Sequence, residues 1–353
     1  MLPKPPNSPS SVVVKTGAEY CRVTVPRVLS HLDEESIGLI LDAIEHSIEQ
    51  QGMRFASAQS MTVASSEDEA PDELAAAYLM EYPGRLGSLV GPWVFNREAR
   101  LSEEAAVAVL RSLVRISSEW KVELVQSVIE LDSPYSVDAL RRAGFRKLAT
   151  LCQMSVELPY TKILNNAAFP YLKNRSEESN YSLPHFEWRQ YDPSDLKLWI
   201  EWLDRTYEET ADCPELNGVR ATAESFAGYL ASSGIQRSGI DTPHWWAAIE
   251  RTGSPSEFST CGSRIAAAFM LGSSCSGNWE LSYMGVIPEY RRRGLATETL
   301  RRAVHLAQRQ DAKQFWLAVD RRNERAIQLY QRFGFEVTRE LDAWFLPIKS
   351  DQD

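Results

Sequence analysis

The sequence predicts an α/β fold made of two tandem domains that share one plan. The chain has 353 residues, which is long for one domain and comfortable for two. Its hydrophobic content of 44% and its charged content of 24% are ordinary for a globular protein. One order of elements (strand, helix, strands, helix, strand, helix, strand) occurs in each half of the chain, which indicates an internal duplication.

The first half supplies this plan once. It begins with a Pro- and Ser-rich stretch that predicts a disordered tail over residues 1–16. Alternating apolar side chains predict an edge strand at 21–25, and apolar residues at helical spacing predict a helix over 36–50. An acidic, Ser-containing segment at 65–72 is typical of a loop. The remaining predicted elements are strands at 74–82 and 86–95, a helix at 103–116, a strand at 122–131, a helix at 135–143 and a strand at 148–158.

The second half repeats the plan after an Asn- and Ser-containing segment at 160–180, which we interpret as a linker. We therefore predict domains at residues 17–159 and 181–353. The elements predicted in the second domain are a strand at 185–191, a helix at 196–207, strands at 245–250, 265–272 and 279–286, a helix at 297–308, a strand at 315–319, a helix at 324–333 and a strand at 336–346.

Charge and cysteine content argue against several classes of function. The net charge of −10 argues against nucleic-acid binding, because neutralising phosphates needs a basic surface. The five cysteines have no Cys-x-x-Cys spacing and no histidine at metal-ligand spacing, so we expect reduced thiols, a cytoplasmic protein and no metal. No apolar run approaches the roughly 20 residues that span a bilayer. The start of the chain also lacks the apolar segment of a signal peptide, so we expect no membrane partner.

The segment 286–296 carries the strongest chemical signal. A strand-like run ends at Val286 and enters a basic turn that contains Gly294, and a helical pattern comes next. Backbone N–H groups at a helix N-terminus point at a bound anion, and glycine lets the backbone approach that anion closely. The three arginines at 291–293 add cations that can grip a phosphate. By itself such a turn is also typical of a solvated loop, so a phosphate site needs support from a second motif.

The chain carries such a second motif after the turn. The residues read Arg291-x-x-Gly294-x-Ala296 after Val286-x-Pro288-x-Tyr290, and then Asn323-x-x-Ala326-x-x-x-Tyr330-x-x-x-Gly334-Phe335. These two motifs, at this separation, resemble the two signatures of the GCN5-related N-acetyltransferase (GNAT) superfamily. The resemblance covers the C-terminal half firmly and the N-terminal half in a weaker form.

The resemblance implies a fold and a co-substrate. Each half would be a GNAT-like domain with a mixed, largely antiparallel sheet flanked by helices, and the C-terminal domain would bind acetyl-CoA. Backbone groups of Met284 and Val286 would line the pantetheine arm, and the N–H of Met284 would contact the thioester carbonyl. Asn323 would help to hold the arm, although its position also suits a helix N-cap. The residues predicted to bind the co-substrate are Met284, Val286, Arg291, Arg292, Arg293, Gly294, Leu295, Ala296 and Asn323.

Two side chains are candidates for proton transfer. The resemblance makes Tyr330 the general acid, because a phenol can protonate the leaving thiolate; a tyrosine packed into the core is the alternative. It makes Glu280 the candidate base, since several family members carry a glutamate at that strand position; an exposed glutamate at a strand start is the alternative. Strict alternation along the strand predicts Tyr283 on the opposite face from Glu280, so the two would not cooperate directly.

The N-terminal half lacks the residues that the motifs require. Aligned with the second half, Ser102 replaces the motif glycine, Glu104 replaces the motif alanine and Leu140 replaces the tyrosine. A carboxylate at the pyrophosphate position would repel the ligand. We therefore predict a degenerate copy that has lost its cofactor chemistry; an unrelated α/β domain is the alternative.

Taken with the resemblance, these residues predict an acetyl-CoA-dependent N-acetyltransferase that moves an acetyl group to a primary amine by direct attack, with its site in the C-terminal domain. The acceptor would be a small-molecule amine or a peptide amine. Carboxylates at 208, 209 and 212 either steer that amine or form a solvated helix end. The alternative functions are a non-catalytic acyl-CoA-binding or interaction protein and a transferase of another acyl group.

Overall fold

The computed structural model describes residues 11–30, 32–61, 73–82, 84–95, 100–131, 134–158, 186–217, 244–250, 264–273 and 277–348. The chain divides into two compact units. The first unit contains residues 1–149 and 341–353, and the second contains residues 150–340. The predicted linker at 160–180 and the predicted loop at 65–72 lie outside the described residues, and the linear domain boundaries given above remain predictions.

The described part of the two units contains twelve strands and seven α-helices. The elements of the first half are β1 (Ser11–Thr16), α1 (Cys21–Val28), α2 (Glu34–Gln51), β2 (Phe55–Met61), β3 (Glu73–Tyr82), β4 (Leu86–Val94), α3 (Arg100–Glu119), β5 (Leu124–Glu130), α4 (Pro134–Arg142) and β6 (Arg146–Glu157). Those of the second half are β7 (Phe186–Gln190), α5 (Leu196–Thr206), β8 (Trp245–Glu250), β9 (Ile265–Ser273), β10 (Asn278–Val286), α6 (Leu295–Arg309), β11 (Gln314–Asp320), α7 (Glu324–Arg332) and β12 (Glu336–Pro347).

Two sequence predictions near the N-terminus are wrong. The predicted strand at 21–25 is helix α1, whose buried residues Cys21, Thr24, Val25 and Val28 have helical spacing. The last residues of the predicted tail, Ser11–Thr16, form strand β1 and pair with β2. In both places the local composition is compatible with more than one conformation, and packing decides whether a short β-branched run becomes strand or helix.

The sheet of each unit follows one pattern of pairing. The first unit has the order β1-β2-β3-β4-β5-β12, and the second has the order β6-β11-β10-β9-β8-β7. The pairs β4–β5 and β10–β11 are parallel, and the other pairs with described registers are antiparallel. The predicted mixed, largely antiparallel sheets flanked by helices are therefore confirmed, and the repeated pairing agrees with a duplication.

Strands β6 and β12 each contribute residues to both units. Residues 341–347 of β12 pair with β5 in the first unit, and residues 151–157 of β6 pair with β11 in the second. Each unit therefore completes its sheet with a strand from the other half of the sequence. A division of the sequence into two consecutive domains cannot describe this exchange of strands.

Two apolar clusters cover the two faces of the sheet in the second unit. Helix α6 buries Leu300, Ala303, Val304 and Ala307 on one side, as its amphipathic spacing requires. The cluster on this face also contains residues of α7, β9, β10 and β11. On the opposite face, α5 packs Trp199, Trp202 and Leu203 against β8 and β9. Among the helices described, none combines the length and the apolar character needed to cross a membrane.

Candidate active site

The parallel strands β10 and β11 pair over only three residues of each strand. Their register runs from Asn278 with Gln314 to Glu280 with Trp316, whereas β10 continues to Val286 and β11 to Asp320. Just beyond the last pair, β10 shifts register against β9 between Leu281 and Tyr283. The two strands thus part next to a β-bulge, a feature that is common beside active sites.

The bulge makes the prediction for Tyr283 wrong. Trp279 and Leu281 belong to the cluster with α6 and α7, so alternation places Glu280 on the face of α5. Tyr283 packs with the α5 cluster as well, and its ring meets Trp202 edge-on at 5.6 Å between centroids. The extra residue, Ser282, returns Tyr283 to the face of Glu280, which strict alternation could not foresee.

Backbone N–H groups near the end of β10 face the side where β11 has parted from it. The N–H of Ile287 donates to the carbonyl oxygen of Ala266 at 3.1 Å, which turns the backbone of that residue toward β9. In an antiparallel pair the residues alternate in this respect, so the backbone groups of Met284 and Val286 point away from β9. The carbonyl oxygen of Val286 accepts a hydrogen bond from Nε of Arg291 at 3.0 Å. The N–H groups of Met284 and Val286 therefore face the gap, where the predicted ligand contacts require them.

The turn after β10 is open at Gly294. This glycine has φ 81° and serves as the N-cap of α6 without a side-chain cap. No heavy atom lies within 4 Å of the position that a Cβ would take there. The N–H groups of the first turn of α6, which includes Leu295 and Ala296, have no acceptor within the helix. The turn leaves both the space and the donors that an anion needs.

The three arginines of the turn have different environments. The guanidinium of Arg291 donates to carbonyl oxygens of Thr206 at 3.2 Å and Glu208 at 2.8 Å, besides that of Val286. It therefore joins the turn to the end of α5, a role that the sequence did not indicate. Arg292 and Arg293 are exposed, and the latter lies 5.5 Å from the ring centroid of Tyr290.

Asn323 caps helix α7. Its Oδ1 accepts a hydrogen bond from the N–H of Ala326 at 3.3 Å, as the N-cap interpretation predicts. This contact occupies the side-chain oxygen, and a contact from this residue to a pantetheine arm stays a prediction.

Tyr330 is buried in α7, with 8% of its surface exposed. Its ring centroid lies 5.9 Å from that of Phe335. Burial, and then the charge of Asp212, raise the pKa of Tyr330 above its ordinary value, which keeps the phenol protonated at neutral pH. Met284 and Ala296 pack against the same cluster as Tyr330, so the candidate acid, the strand end and the turn share one face of the sheet.

Glu280 is half-buried on β10. Burial raises the pKa of its carboxyl to about 7, because the charged form loses hydration there. A carboxylate with that pKa can accept a proton near neutral pH and release it again. The predicted base thus has a suitable acidity, on the face opposite to that of Tyr330.

The acidic segment after α5 is engaged in contacts within the protein. Glu208 forms an ion pair with Arg205 at 2.6 Å, and Oδ1 of Asp212 accepts a hydrogen bond from the N–H of Asp320 at 3.0 Å. These contacts favour the helix-end interpretation over steering of a cationic substrate. Ligand atoms of Asp212, Cys213 and Asp320 lie within 4.8 Å of one another, but the guanidinium of Arg322 already neutralises Asp320.

Comparisons with known proteins agree with this geometry. A model of the acetyltransferase (GNAT) family matches residues 180–335. A GCN5-related N-acetyltransferase from Sphaerobacter thermophilus is 15% identical, with a TM-score of 0.56 and coverage of 96% of each chain. A tandem GNAT protein from the clavulanic acid biosynthesis pathway is 10% identical, with a TM-score of 0.53 and coverage of 96% of this chain and 99% of that one. No curated protein sequence matches the chain significantly.

At such low identities the solved structures establish the fold alone, and the tandem protein shares the two-domain architecture. The match to the family model is a separate finding, and it supports acyl transfer in general. Residues 180–335 therefore match the acetyltransferase (GNAT) family.

Proposed function

We propose that the chain is an acetyl-CoA-dependent N-acetyltransferase that moves an acetyl group to a primary amine by direct attack. The reaction takes place in the second unit. The observation that carries this proposal is the open turn at Gly294, which begins helix α6 beside the point where β10 and β11 part.

The turn fits the diphosphate of coenzyme A. The empty space over Gly294 admits phosphate oxygens close to the backbone, and the N-terminus of α6 favours negative charge. Arg292 and Arg293 add exposed cations beside it. When bound, acetyl-CoA supplies an acetyl group that is activated as a thioester.

Three groups of the chain then act at the parted strands. The N–H of Met284 stabilises the negative charge that develops on the carbonyl oxygen. Glu280 accepts the proton that the amine loses as its nitrogen bonds to the acetyl carbon. Tyr330 donates its proton to the sulfur as the carbon–sulfur bond breaks. The opposite faces of Glu280 and Tyr330 suit this division, because the amine and the thiol lie on different sides of the reacting carbon.

Direct attack by the amine needs no covalent enzyme intermediate. Cys213, a buried cysteine next to Asp212, donates its backbone N–H to Asp320 at 3.0 Å and holds the chain there. We therefore give it a structural role. The acceptor class is a small-molecule amine or a peptide amine.

A panel of amines assayed with acetyl-CoA and free-thiol detection tests the proposal. The panel contains polyamines, amino sugars, amino acids and peptides, each run also with longer acyl-CoA compounds. Thiol release that depends on a particular amine supports N-acetylation. Saturable acetyl-CoA binding without thiol release for any amine would favour an acyl-CoA-binding protein, and preference for a longer acyl chain would reassign the donor.

A further inference from the structure

Residues 207–217, which we call the strap, connect the ends of the two parted strands. At its beginning, Arg291 donates to the carbonyl oxygens of Glu208 at 2.8 Å and Val286 at 3.0 Å, which fixes the strap to the end of β10. At its other end, the N–H of Cys213 donates to Oδ2 of Asp320 at 3.0 Å, which fixes it to the end of β11. The strap therefore connects the end of β10 to the end of β11.

A single arginine, Arg322, attaches the strap to the end of β11; we call this contact the lock. Nη2 of Arg322 donates to Oδ2 of Asp320 at 2.6 Å and to Oε2 of Glu215 at 2.8 Å. Asp320 is fully buried, whereas Glu215 lies on the exposed outer part of the strap. One planar guanidinium thus joins the strand to the strap through two carboxylates, a geometry that a lysine cannot reproduce.

The strap carries two side chains toward the reacting groups. Tyr207 meets the ring of Tyr283 edge-on, with centroids 6.3 Å apart, beside the bulge of β10. Oδ1 of Asp212 accepts a hydrogen bond from the N–H of Asp320 at 3.0 Å, and the charge of Asp212 contributes to the raised pKa of Tyr330. One end of the strap therefore adjoins the face of Glu280, and the other end adjoins the candidate acid.

We propose that Arg322 is a positioning residue for the acceptor: by joining Asp320 to Glu215, it holds the strap as one wall of the path by which the amine reaches the parted strands. The assignment rests on the proposed N-acetyltransferase function. The diphosphate turn is built from Gly294 and the start of α6, which lie at the end of the other strand. Release of the lock should therefore weaken acceptor binding and spare co-substrate binding.

The test uses two variants of the full-length chain with matched controls. Glu215→Lys places a like charge against Arg322, and Arg322→Lys keeps a cation beside buried Asp320 but loses the fork that reaches both carboxylates. Controls are Glu340→Lys and Arg321→Lys, because Arg321 pairs with Glu340 at 3.4 Å in a separate exposed contact. Acetyl-CoA Kd is measured by calorimetry, and acceptor KM and kcat are measured with the best amine of the panel.

We expect both strap variants to raise the acceptor KM roughly tenfold, since small displacements of positioning groups have large effects on productive binding. Acetyl-CoA Kd should stay within about twofold, and both controls should behave as the unmodified chain. An unchanged acceptor KM in both folded strap variants would overturn this assignment alone. An equal rise in acetyl-CoA Kd would also overturn it, because the lock would then serve the co-substrate. No turnover by the unmodified chain with any amine would overturn the proposed function and this assignment with it.

Discussion

Glu280 links the chemistry of the site to the stability of the fold. Its carboxyl has a pKa raised to about 7 by burial, compared with 4.5 for the free side chain. Between these two pH values the unfolded chain carries an ionised glutamate while the folded chain still holds the proton. The folded state therefore loses relative stability as pH rises through this window, and the loss is complete above about pH 7.

Glu280→Gln should consequently stabilise the protein in a pH-dependent way. The amide has no charge to bury, so its advantage over the glutamate should grow by roughly 2 kcal/mol between pH 5 and pH 8. Thermal melts of both proteins across this range measure the difference. The variant should also lose most of its turnover, because an amide cannot accept the proton of the amine.

Exposed Glu336 on β12 is a matched control. Glu336→Gln should shift the melting temperature equally at both pH values. If Glu280→Gln shows no more pH dependence than this control, Glu280 is not a desolvated acid, and its role as base loses its physical support.

Tyr330→Phe tests the candidate acid. The substitution keeps the ring in its cluster and removes only the hydroxyl, so kcat should fall roughly a hundredfold while acetyl-CoA affinity is retained. Stopped-time thiol assays and calorimetry measure the two quantities. Tyr78→Phe, at another buried tyrosine in the first unit, should leave both unchanged. A Tyr330→Phe enzyme with normal kcat would remove the phenol from the mechanism.

At the scale of elements, strand β10 is shaped by the close approach of helix α5. A Cβ added at Gly285 would lie 2.6 Å from Cγ2 of Thr206, closer than packed atoms can be. Oγ1 of Thr206 in turn forms a hydrogen bond with the hydroxyl of Tyr283 at 2.7 Å, and its carbonyl oxygen accepts one from Arg291. Glycine at 285 is therefore what allows helix, strand and turn to meet at the site.

Gly285→Ala should lower the free energy of unfolding by about 2 kcal/mol, because the new methyl group must push α5 from the strand. Thr206→Ser keeps the hydroxyl and removes the methyl that is in the way, so the double variant should recover part of this loss. Urea unfolding of the two single variants and the double variant measures the recovery. A double variant whose loss equals the sum of the single losses would contradict the close contact.

The elements differ in how well the sequence predicts them. Amphipathic helices such as α6 and α7 follow from apolar spacing, because this signal is local. The start of α7 follows from Asn323, whereas α6 begins at Leu295, two residues before its predicted start. The bulge at Ser282 is not local: it depends on how β10 meets β9, so strict alternation puts Tyr283 on the wrong face. The prediction for segment 21–25 is wrong for a related reason, since its few apolar residues satisfy either period.

In the candidate site, too, local sequence predicts some features and only the fold reveals others. The motif residues of the turn and of α7 could be found from their spacing, because that spacing reflects one strand-turn-helix connection. The roles of Arg291 and Arg322 could not be found, since each role depends on a partner that is distant in sequence. The carbonyl group of Glu208 lies 83 residues from Arg291, and the carboxylate of Glu215 lies 107 residues from Arg322. A basic residue in a phosphate motif suggests a phosphate contact, and only the fold reveals that Arg291 is turned toward α5.

At the scale of the whole molecule, the two units share a pairing pattern but differ at the gap. The parallel pairing of β4 with β5 ends at Leu89 with Ser127, and the register of β4 then shifts, as it does in β10. In the alignment of the two halves, Pro92 corresponds to Met284 and Ser136 to Ala326. Proline has no N–H to offer a thioester carbonyl.

The gap of the first unit is also bridged by the protein itself. Oγ of Ser136 on α4 donates to the carbonyl oxygen of Pro92 on β4 at 3.2 Å. Leu140 stands where the second unit has Tyr330, so the first unit also lacks the candidate acid. The sequence predicted the duplication, and the loss of cofactor chemistry in the first copy stays a prediction. The bridge and the exchange of β6 and β12 could be seen only in the fold.

Calorimetric titration of the full-length chain with acetyl-CoA tests the central claim most directly. We predict one binding site per chain and its complete loss in Gly294→Glu, which places an anion in the open turn. The control is Gly52→Glu, because Gly52 has φ 64° and equally open surroundings in the first unit. It should bind as the unmodified chain does. Undiminished binding by Gly294→Glu, or two equal sites per chain, would contradict the assignment of acetyl-CoA to the turn at Gly294.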